Sequence, residues 1–317
     1  MAPPLGELPT ESGERAISVG YADTTPGGRG LIYARLYRNS LRRNNMPYDI
    51  KILGGQSNAE GYGLGETAVP YEPDERILMM RDCGECGYID QPDGARSFVV
   101  TTPYVFKTEV AREKEGKDGK FGSFWLTFAK KYVEAGLLSE DRQLLIINGS
   151  VGGASFACKH WGIGNVLHDR LVLMMNEAKK SDDDRFVAFL WHQGEGDAYE
   201  ETEAIPASKR GEIYYDDLMA TVTDIRSKAG DATLPFIAGE YSPEWYLTIP
   251  KVCDAILDAT QKVCNELGNG QVAKSEGLTS NNQAVGNGDN CHFSREALRI
   301  FGERYFDAYC EIKGINK

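Results

Sequence analysis

The sequence is poor in histidine and in basic residues. Four of its 317 residues are histidine, and 35 lysines and arginines stand against 47 aspartates and glutamates, which gives a formal net charge of −12. A nucleic acid or an anionic membrane surface needs a basic face on its partner, so we expect neither as a partner. Any chemistry that uses histidine must draw on His160, His168, His192 or His292.

Long hydrophobic runs are also missing. No stretch approaches the ~18 consecutive apolar residues of a membrane helix. The opening segment, MAPPLGELPTESGERA, has no apolar core and is acidic early, so it is not typical of a signal peptide. We therefore expect a soluble chain, either cytoplasmic or a mature secreted form, whose oligomeric state the sequence leaves open.

The motifs of disulfide frameworks, metal sites and nucleotide cofactors do not occur in complete form. The seven cysteines are an odd number at irregular spacing, which favours reduced thiols. Cys83 and Cys86 form one CxxC pair, but zinc would need a second pair, so we expect a turn with two thiols or one local disulfide and no metal. Gly61, Gly63 and Gly65 lack the last glycine of G-x-G-x-x-G, and no G-x-x-x-x-G-K-[ST] occurs. The sequence therefore predicts no cofactor.

The composition changes at about residue 46. Residues 1–46 are rich in Gly, Pro, Ser and Thr and become basic at 33–43, so we predict an N-terminal extension that packs on a main domain over 47–317. Within this domain the stretch 60–122 is polar and glycine-rich. It predicts a loop-rich insertion around one weak strand.

Short apolar runs alternate with helical patterns along the main domain. The runs typical of buried strands are YDIKILGG (48–55), RILMM (76–80), LLIING (144–149), FVAFLW (186–191), LPFIAG (234–239) and the shorter QVAKS (271–275). Apolar residues recur at helical spacing over 123–136, 165–180, 214–230, 250–268 and 294–310. The alternation predicts an α/β fold in which helices cover both faces of a central parallel sheet.

Clusters of polar and small residues follow the predicted strands. GQSNAEG (55–61) follows the first strand, VGGAS (151–155) follows LLIING, HQGEGD (192–197) follows FVAFLW, and DNCH (289–292) precedes the last helix. In an open parallel sheet, ligands bind at the carboxyl ends of the strands. We therefore expect the clusters to converge on one edge as an active site. Each cluster alone is a common structural feature, so the inference rests on their joint occurrence.

A serine, a histidine and an aspartate have the pattern of nucleophilic catalysis. Ser57 lies in a glycine-flanked turn between strand and helix, which exposes its hydroxyl near a helix N-terminus. A hydroxyl needs a nearby base, and His292 is the best candidate. Asp289 lies three residues before it, so one turn of chain can place the carboxylate against the imidazole. This tight spacing and the lack of a G-x-S-x-G elbow point away from a standard α/β-hydrolase.

Acyl transfer also requires hydrogen-bond donors for the oxyanion. Gly152 and Gly153 offer unobstructed backbone N–H groups at one strand end, and Gln193 offers a side-chain amide at another. Two glycines in sequence are also a frequent tight turn. We therefore interpret these groups as oxyanion donors only because the serine and the histidine are predicted to lie near them.

The remaining histidines have weaker claims to catalysis. His168 lies within a predicted helix and is expected to be structural. His192 adjoins Trp191 and is either a core histidine or part of the site. His160 follows the glycine loop, where a pocket position and a surface position are equally compatible with the sequence.

GQSNAEG, VGGAS, HQGEGD and DNCH, in this order and spacing, resemble the sialate O-acetylesterase and acetylxylan esterase group, which are carbohydrate esterase family 6-like members of the SGNH hydrolase superfamily. The resemblance covers about residues 48–310. It implies a three-layer, flavodoxin-like α/β/α fold and a metal-free serine esterase that removes O-acetyl groups from carbohydrates through an acetyl-serine intermediate. Two positions depart from the group, which often has Met at the place of Ala59 and Thr at the place of Ala154.

The resemblance implies roles for the catalytic residues. Ser57 takes the place of the nucleophile, His292 of the general base and Asp289 of its orienting acid. The glutamate of HQGE, Glu195, is an alternative acidic partner for His292, and the sequence does not decide between the two carboxylates.

The resemblance also implies an oxyanion hole. Its donors are the backbone at Ser57 and Gly153 together with the Gln193 amide, which stands where other SGNH enzymes use asparagine. Asn58 and Gly152 are further candidates for support of the site.

Two other functions stay open at this point. A chain that kept the pocket but lost turnover would be a carbohydrate-binding protein, although the intact Ser, Asp, His and Gln set argues against it. A thiol or zinc function at Cys83 and Cys86 is the weaker hypothesis. We expect the 60–122 insertion to decide the choice of sugar, which the sequence does not identify.

Overall fold

The fold is built on eleven strands in the described part of the chain. The computed structural model describes residues 46–82, 86–90, 96–100, 104–117, 119–199 and 206–316, with the backbone alone at 86–90, 96–100 and 199. The strands are β1 (Tyr48–Gly55), β2 (Ile77–Asp82), β3 (Cys86–Asp90), β4 (Arg96–Val100), β5 (Phe106–Val110), β6 (Lys114–Gly116), β7 (Gly119–Phe121), β8 (Gln143–Asn148), β9 (Arg185–His192), β10 (Phe236–Gly239) and β11 (Gly270–Ala273). The predicted extension, apart from residue 46, lies outside the described residues.

Seven of these strands form one sheet in the order β11-β10-β9-β1-β8-β2-β5. β1 is the central strand, where Ile52 pairs in parallel with Ile147 of β8 and with Phe189 of β9. The other pairs are also parallel, except that β5 runs antiparallel to β2 at the edge. The prediction of a central parallel sheet is confirmed.

Nine helices flank the sheet in the described part of the chain. They are α1 (Ser57–Glu60), α2 (Phe124–Glu134), α3 (Val166–Ala178), α4 (Glu195–Tyr199), α5 (Ala207–Ala229), α6 (Pro243–Tyr246), α7 (Pro250–Leu267), α8 (Asn281–Val285) and α9 (Arg295–Lys313). Among the described residues, no helix combines the length and the apolar character that crossing a membrane requires.

The side chains of the sheet alternate between two apolar layers. Ile50 and Ile52 of β1 belong to one layer with Leu218 of α5, together with residues of α3 and α7. Leu53 belongs to the other layer with Phe301 of α9 and with residues of α2. Because strand side chains point alternately to the two faces, a strand with apolar residues on both faces must be covered on both. The domain that begins at residue 46 is therefore a three-layer α/β/α sandwich around β1.

The stretch 60–122 contains more strands than we predicted from its sequence. β2 joins the main sheet beside β8, and β5 extends that sheet as its antiparallel edge. β3 with β4, and β6 with β7, form two separate hairpins. The middle residues of β5 and all of β6 are exposed, so they lack the alternating apolar pattern that reveals a strand in a sequence.

The contact between α2 and α9 allows one test of the packing. A Cβ at Gly302 of α9 would lie 2.2 Å from the carbonyl oxygen of Phe124 on α2, which is far inside van der Waals contact. Although alanine is favoured over glycine in helices by about 1 kcal/mol, we expect Gly302→Ala to lower the free energy of unfolding by about 1–3 kcal/mol through overpacking. Urea unfolding would measure the change, with Glu311→Ala at an exposed position of α9 as control. A Gly302→Ala variant as stable as the wild type would contradict this packing.

Candidate active site

The carboxyl ends of three neighbouring strands bring the predicted clusters together. Gly55 at the end of β1 pairs with His192 at the end of β9, and Leu53 pairs with Asn148 at the end of β8. The GQSNAEG, VGGAS and HQGEGD segments therefore leave the sheet side by side. The DNCH segment reaches the same edge from the loop between α8 and α9.

A glycine turn positions Ser57 at the start of α1. Gly55 has a φ of +133°, and a Cβ on it would lie 2.1 Å from the carbonyl oxygen of His192, so a side chain does not fit there. The Gln56 N–H donates to that same carbonyl at 2.9 Å. The close approach of β1 and β9 therefore fixes the turn that carries Ser57.

Ser57, His292 and Asp289 form one hydrogen-bonded chain. His292 Nε2 lies 2.8 Å from Ser57 Oγ, and His292 Nδ1 lies 2.8 Å from Asp289 Oδ2. Asp289 also accepts the backbone N–H of His292 at 3.1 Å and a side-chain N–H of Asn281 at 3.0 Å. Burial by itself raises the pKa of Asp289, but these hydrogen bonds and the attraction of His292 lower it to about 2. With Asp289 ionised at neutral pH, Nδ1 donates to it and Nε2 is the acceptor for the Ser57 hydroxyl.

Glu195 contacts a different histidine. Its Oε1 lies 3.0 Å from His192 Nε2 and accepts a side-chain N–H of Asn58 at 2.7 Å. Burial raises the pKa of Glu195, but the attraction of His192 and the bonds from His192 and Asn58 together lower the pKa below its ordinary value. Within the described part of the chain, no hydrogen bond joins Glu195 to His292. Of the two candidate acids, Asp289 is therefore the one that contacts His292.

Asn58 connects the serine turn to the histidine loop. Its Oδ1 accepts the backbone N–H of Phe293 at 3.1 Å, and its Nδ2 donates to the carbonyl of Cys291 at 3.2 Å. These two groups belong to the residues on either side of His292. Asn58 is fully buried, and its bond to the Phe293 N–H is shielded from water. Asn58 therefore supports the site by bonding the backbone on both sides of His292.

Two backbone donors near Ser57 have no partner among the described residues. They are the N–H of Ser57 and the N–H of Gly153, whose φ is +73°. Gly152 differs from them, because its N–H donates to Glu60 Oε2 at 3.0 Å. The geometry therefore leaves the two predicted backbone donors available to an oxyanion.

The Gln193 amide does not take the position that we predicted for it. Its Nε2 donates to Asp197 Oδ2 at 2.6 Å and also lies 3.1 Å from the carbonyl oxygen of Ala154 and 3.2 Å from Gln56 Oε1. An amide nitrogen carries two hydrogens, so these buried acceptors use its donor capacity. The shortest of these contacts is with the buried carboxylate of Asp197 on α4, and a carboxylate accepts hydrogen bonds more strongly than a carbonyl oxygen.

The other three histidines are buried away from the serine hydroxyl. His192 lies between Glu195 and the Tyr305 hydroxyl, which is 3.2 Å from its Nδ1. His168 Nε2 lies 3.1 Å from a carboxylate oxygen of Asp224, as expected for a structural histidine. His160 Nδ1 accepts the N–H of Ser155 at 3.2 Å and helps to shape the loop after the two glycines.

Three residues that the sequence did not single out belong to the site. Asn281 donates to Asp289, and Tyr62 stacks on the His292 ring with centroids 5.5 Å apart and planes 30° apart. Glu60 accepts the Gly152 N–H. Burial raises the pKa of the Tyr62 hydroxyl to about 12, with Glu60 adding to the effect, so Tyr62 is neutral. Of these three residues, only Glu60 lies within a sequence motif, GQSNAEG, that could have indicated its place in the site.

A cleft of about 1030 Å³ opens beside the glycine loop. Glu60, Tyr62 and Gly152 line it, together with the basic side chains of Arg81 and Lys114. The insertion therefore forms a wall next to the serine and histidine. The wall is charged, unlike the apolar layers on the two faces of the sheet.

The thiols that the structure describes lie outside the chain of hydrogen bonds at Ser57, and those of Cys253, Cys264 and Cys310 are buried. Cys253, Cys264 and Cys291 are free, which agrees with the expectation of reduced thiols. Burial raises the pKa of Cys253 and of Cys264 to about 12. The prediction for the CxxC pair lies outside the described residues, because Cys83 is not described and only the backbone of Cys86 is.

Solved structures share this fold at low sequence identity. NanS matches with a TM-score of 0.63 and 19% identity, over 85% of this chain and 98% of its own. A protein from Arabidopsis thaliana matches with a TM-score of 0.57 and 20% identity, over 84% of this chain and 98% of its own. A carbohydrate acetylesterase from Xanthomonas citri matches with a TM-score of 0.51 and 18% identity, over 83% of this chain and 56% of its own. These likenesses confirm the predicted α/β/α fold.

A protein family identifies the class of enzyme. The profile of the family described as "Carbohydrate esterase, sialic acid-specific acetylesterase" matches residues 47–311. No curated protein matches the sequence. The family match spans all the predicted site residues and confirms the prediction of a carboxylic ester hydrolase that acts on acetylated carbohydrates. The protein belongs to this family of carbohydrate esterases.

Proposed function

We propose that the protein removes O-acetyl groups from a carbohydrate by a serine mechanism, with Ser57 as nucleophile, His292 as base and Asp289 as the acid that orients it. The observation that carries this proposal is the chain of two 2.8 Å contacts from Ser57 Oγ through the His292 ring to Asp289. A hydroxyl is a weak nucleophile until a positioned base takes its proton. The ring nitrogen at hydrogen-bond distance from Oγ is that base.

The reaction proceeds through an acetyl-serine. His292 Nε2 takes the Ser57 proton while Oγ attacks the acetyl carbonyl carbon. The tetrahedral oxyanion then collapses, the bond to the sugar oxygen breaks, and the sugar leaves with the proton from His292. A water that gives a proton to His292 attacks the acetyl carbon, and the second collapse releases acetic acid and returns the proton to Ser57 Oγ.

The backbone N–H groups of Ser57 and Gly153 stabilise the oxyanion in this proposal. Each preorganised donor contributes a rate factor of about 10²–10³. Gln193 contributes indirectly, because its bond to Asp197 helps to hold the loop after Gly153. Asp197 also accepts the backbone N–H groups of that loop at Phe156 and Ala157.

Asp289 takes the role of the acid, and Glu195 supports the site through Asn58. A carboxylate on Nδ1 fixes the tautomer and stabilises the imidazolium that forms when Ser57 loses its proton. Glu195 is instead part of the buried link from His192 through Asn58 to the backbone beside His292.

The wall from the 60–122 stretch selects the sugar in this proposal. The acetyl group must reach Ser57, so the remainder of the substrate lies in the cleft beside Gly152 and Tyr62. The Tyr62 ring stacks on His292 and has Lys114 Nζ 4.9 Å from its centroid, so it links the wall to the catalytic base.

Ser57→Ala is expected to abolish hydrolysis of a simple acetate ester, because no other hydroxyl lies on His292 Nε2 among the described residues. A loss of about 10³-fold or more in kcat is the size expected for a nucleophile. Steady-state kinetics would measure it, with urea unfolding to show an intact fold. Ser208→Ala, exposed on α5, is the matched control and is expected to keep wild-type activity.

A serine-directed phosphonate separates this proposal from that of an inactive carbohydrate-binding protein. The wild type is expected to be labelled at Ser57 and Ser57→Ala to stay unlabelled. Undiminished activity of Ser57→Ala, or a wild type that is neither labelled nor active on any acetylated sugar, would contradict the serine mechanism.

The acid is tested by comparing Asp289→Asn with Glu195→Gln. We expect Asp289→Asn to lower kcat by about 10³–10⁴-fold, because the amide stabilises the wrong tautomer and does not compensate the imidazolium. Glu195→Gln keeps an acceptor for Asn58 and is expected to lower kcat much less. Kinetics at pH 7 on one acetate ester would show the ratio, and a larger loss for Glu195→Gln would reverse the assignment.

A further inference from the structure

Glu60 is a carboxylate close to the nucleophile that the proposed mechanism does not use. It ends α1, and its Oε2 accepts the backbone N–H of Gly152 at 3.0 Å. Its Oε1 accepts the Tyr62 hydroxyl at 3.3 Å and lies 3.4 Å from Lys114 Nζ. One side chain thus joins the nucleophile turn, the glycine loop, the aromatic ring on His292 and the hairpin of β6.

The Gly152 segment lies directly against the nucleophile. A Cβ on Gly152 would lie 3.5 Å from Glu60 Oε2, 3.7 Å from Ser57 Cβ and 3.8 Å from the Tyr62 hydroxyl. The next residue, Gly153, has a φ of +73° and carries a proposed oxyanion donor. Two glycines in sequence have the greatest backbone freedom, so the direction of the Gly153 N–H depends on what holds Gly152.

A carboxylate near a developing oxyanion also has a cost, because like charges repel. Lys114 lies close enough to reduce that repulsion, but its side chain is 56% exposed, so the ion pair itself stabilises little. The useful property of Glu60 at this place is therefore the position of its acceptor oxygen and not its charge.

We propose that Glu60 is a positioning residue, which fixes the Gly152–Gly153 segment through the Gly152 N–H so that the Gly153 N–H points at the oxyanion. Its bond to Tyr62 acts in the same direction, because it holds the ring that lies on His292. This inference rests on the proposed serine mechanism. It adds to that mechanism a residue to which the sequence motifs gave no role.

The comparison of Glu60→Ala with Glu60→Gln tests the inference. Displacing a reacting group by about 1 Å costs about 10²-fold, so we expect Glu60→Ala to lower kcat for a small acetate ester by about 10- to 100-fold. KM for such an ester is expected to change less than about 3-fold, because the segment acts on the transition state. Glu60→Gln retains an acceptor oxygen for the Gly152 N–H and is expected to stay within about 3-fold of wild-type kcat.

Glu177→Ala is the matched control, since it also removes one partner of an exposed lysine ion pair, the one with Lys180 at the end of α3. It is expected to keep wild-type kinetics. Glu60→Leu replaces Glu60→Ala if the latter does not fold, because leucine keeps the volume without an acceptor, and the same loss of kcat is expected.

The outcomes separate this inference from the function on which it rests. Active Ser57→Ala would overturn the serine mechanism itself. Inactive Ser57→Ala with wild-type kcat in Glu60→Ala and Glu60→Leu would overturn only the positioning role. An equal loss of kcat in Glu60→Gln and Glu60→Ala would also overturn it, because the charge and not the acceptor would then matter.

Discussion

The bridge from Asn58 to the backbone around His292 is the interaction on which the site depends. The nucleophile and the base are 235 positions apart in the chain, and they come from different structural units, the end of β1 and the loop before α9. Hydrogen bonds from Asn58 to the backbone of Cys291 and Phe293 hold that loop against the serine turn. A catalytic pair must be held to within about 0.5 Å to act together. Asn58 meets this requirement because it is next to Ser57 in the chain and bonds the residues on either side of His292.

The bridge in turn rests on the buried contact between Glu195 and His192. Glu195 holds the Asn58 amide and the His192 ring in the layer above the sheet edge, where Tyr305 completes the network. Removing one partner of such a buried contact leaves the other without its hydrogen bond, which is destabilising. The pKa values of Asp289 and Glu195 are both lowered, but the two carboxylates affect His292 in different ways. Asp289 acts on the His292 ring itself, and Glu195 acts on the place where the ring stands.

The sheet and the approximate site followed from sequence because both depend on local patterns. Apolar runs predicted the strands β1, β2, β8, β9, β10 and β11. The clusters of small and polar residues that follow some of these strands predicted the edge of the sheet where the site lies. The boundaries were less certain. α5 begins at Ala207 and not near 214, because its first turns are polar and one of them contains Gly211. The exposed strands β5, β6 and β7 lack an apolar face, so the sequence showed them as loops.

Side-chain direction was what the sequence could not supply. The motif placed Gln193 at the correct strand end, but the buried carboxylate of Asp197 turns its amide away from the role that we predicted. The choice between Asp289 and Glu195 likewise depended on which carboxylate reaches the His292 ring. Tyr62 and Asn281 carry no motif, since their roles arise only when distant segments meet.

The most direct measurement of the central claim is capture of the acetyl-enzyme. The protein is mixed with an activated acetate ester, quenched in acid within one turnover, digested and mapped by mass spectrometry. The account predicts one acetyl group, on Ser57, that disappears when the complex is left to turn over. Acetyl-enzyme on another residue, or active turnover without any covalent acetyl group, would contradict it.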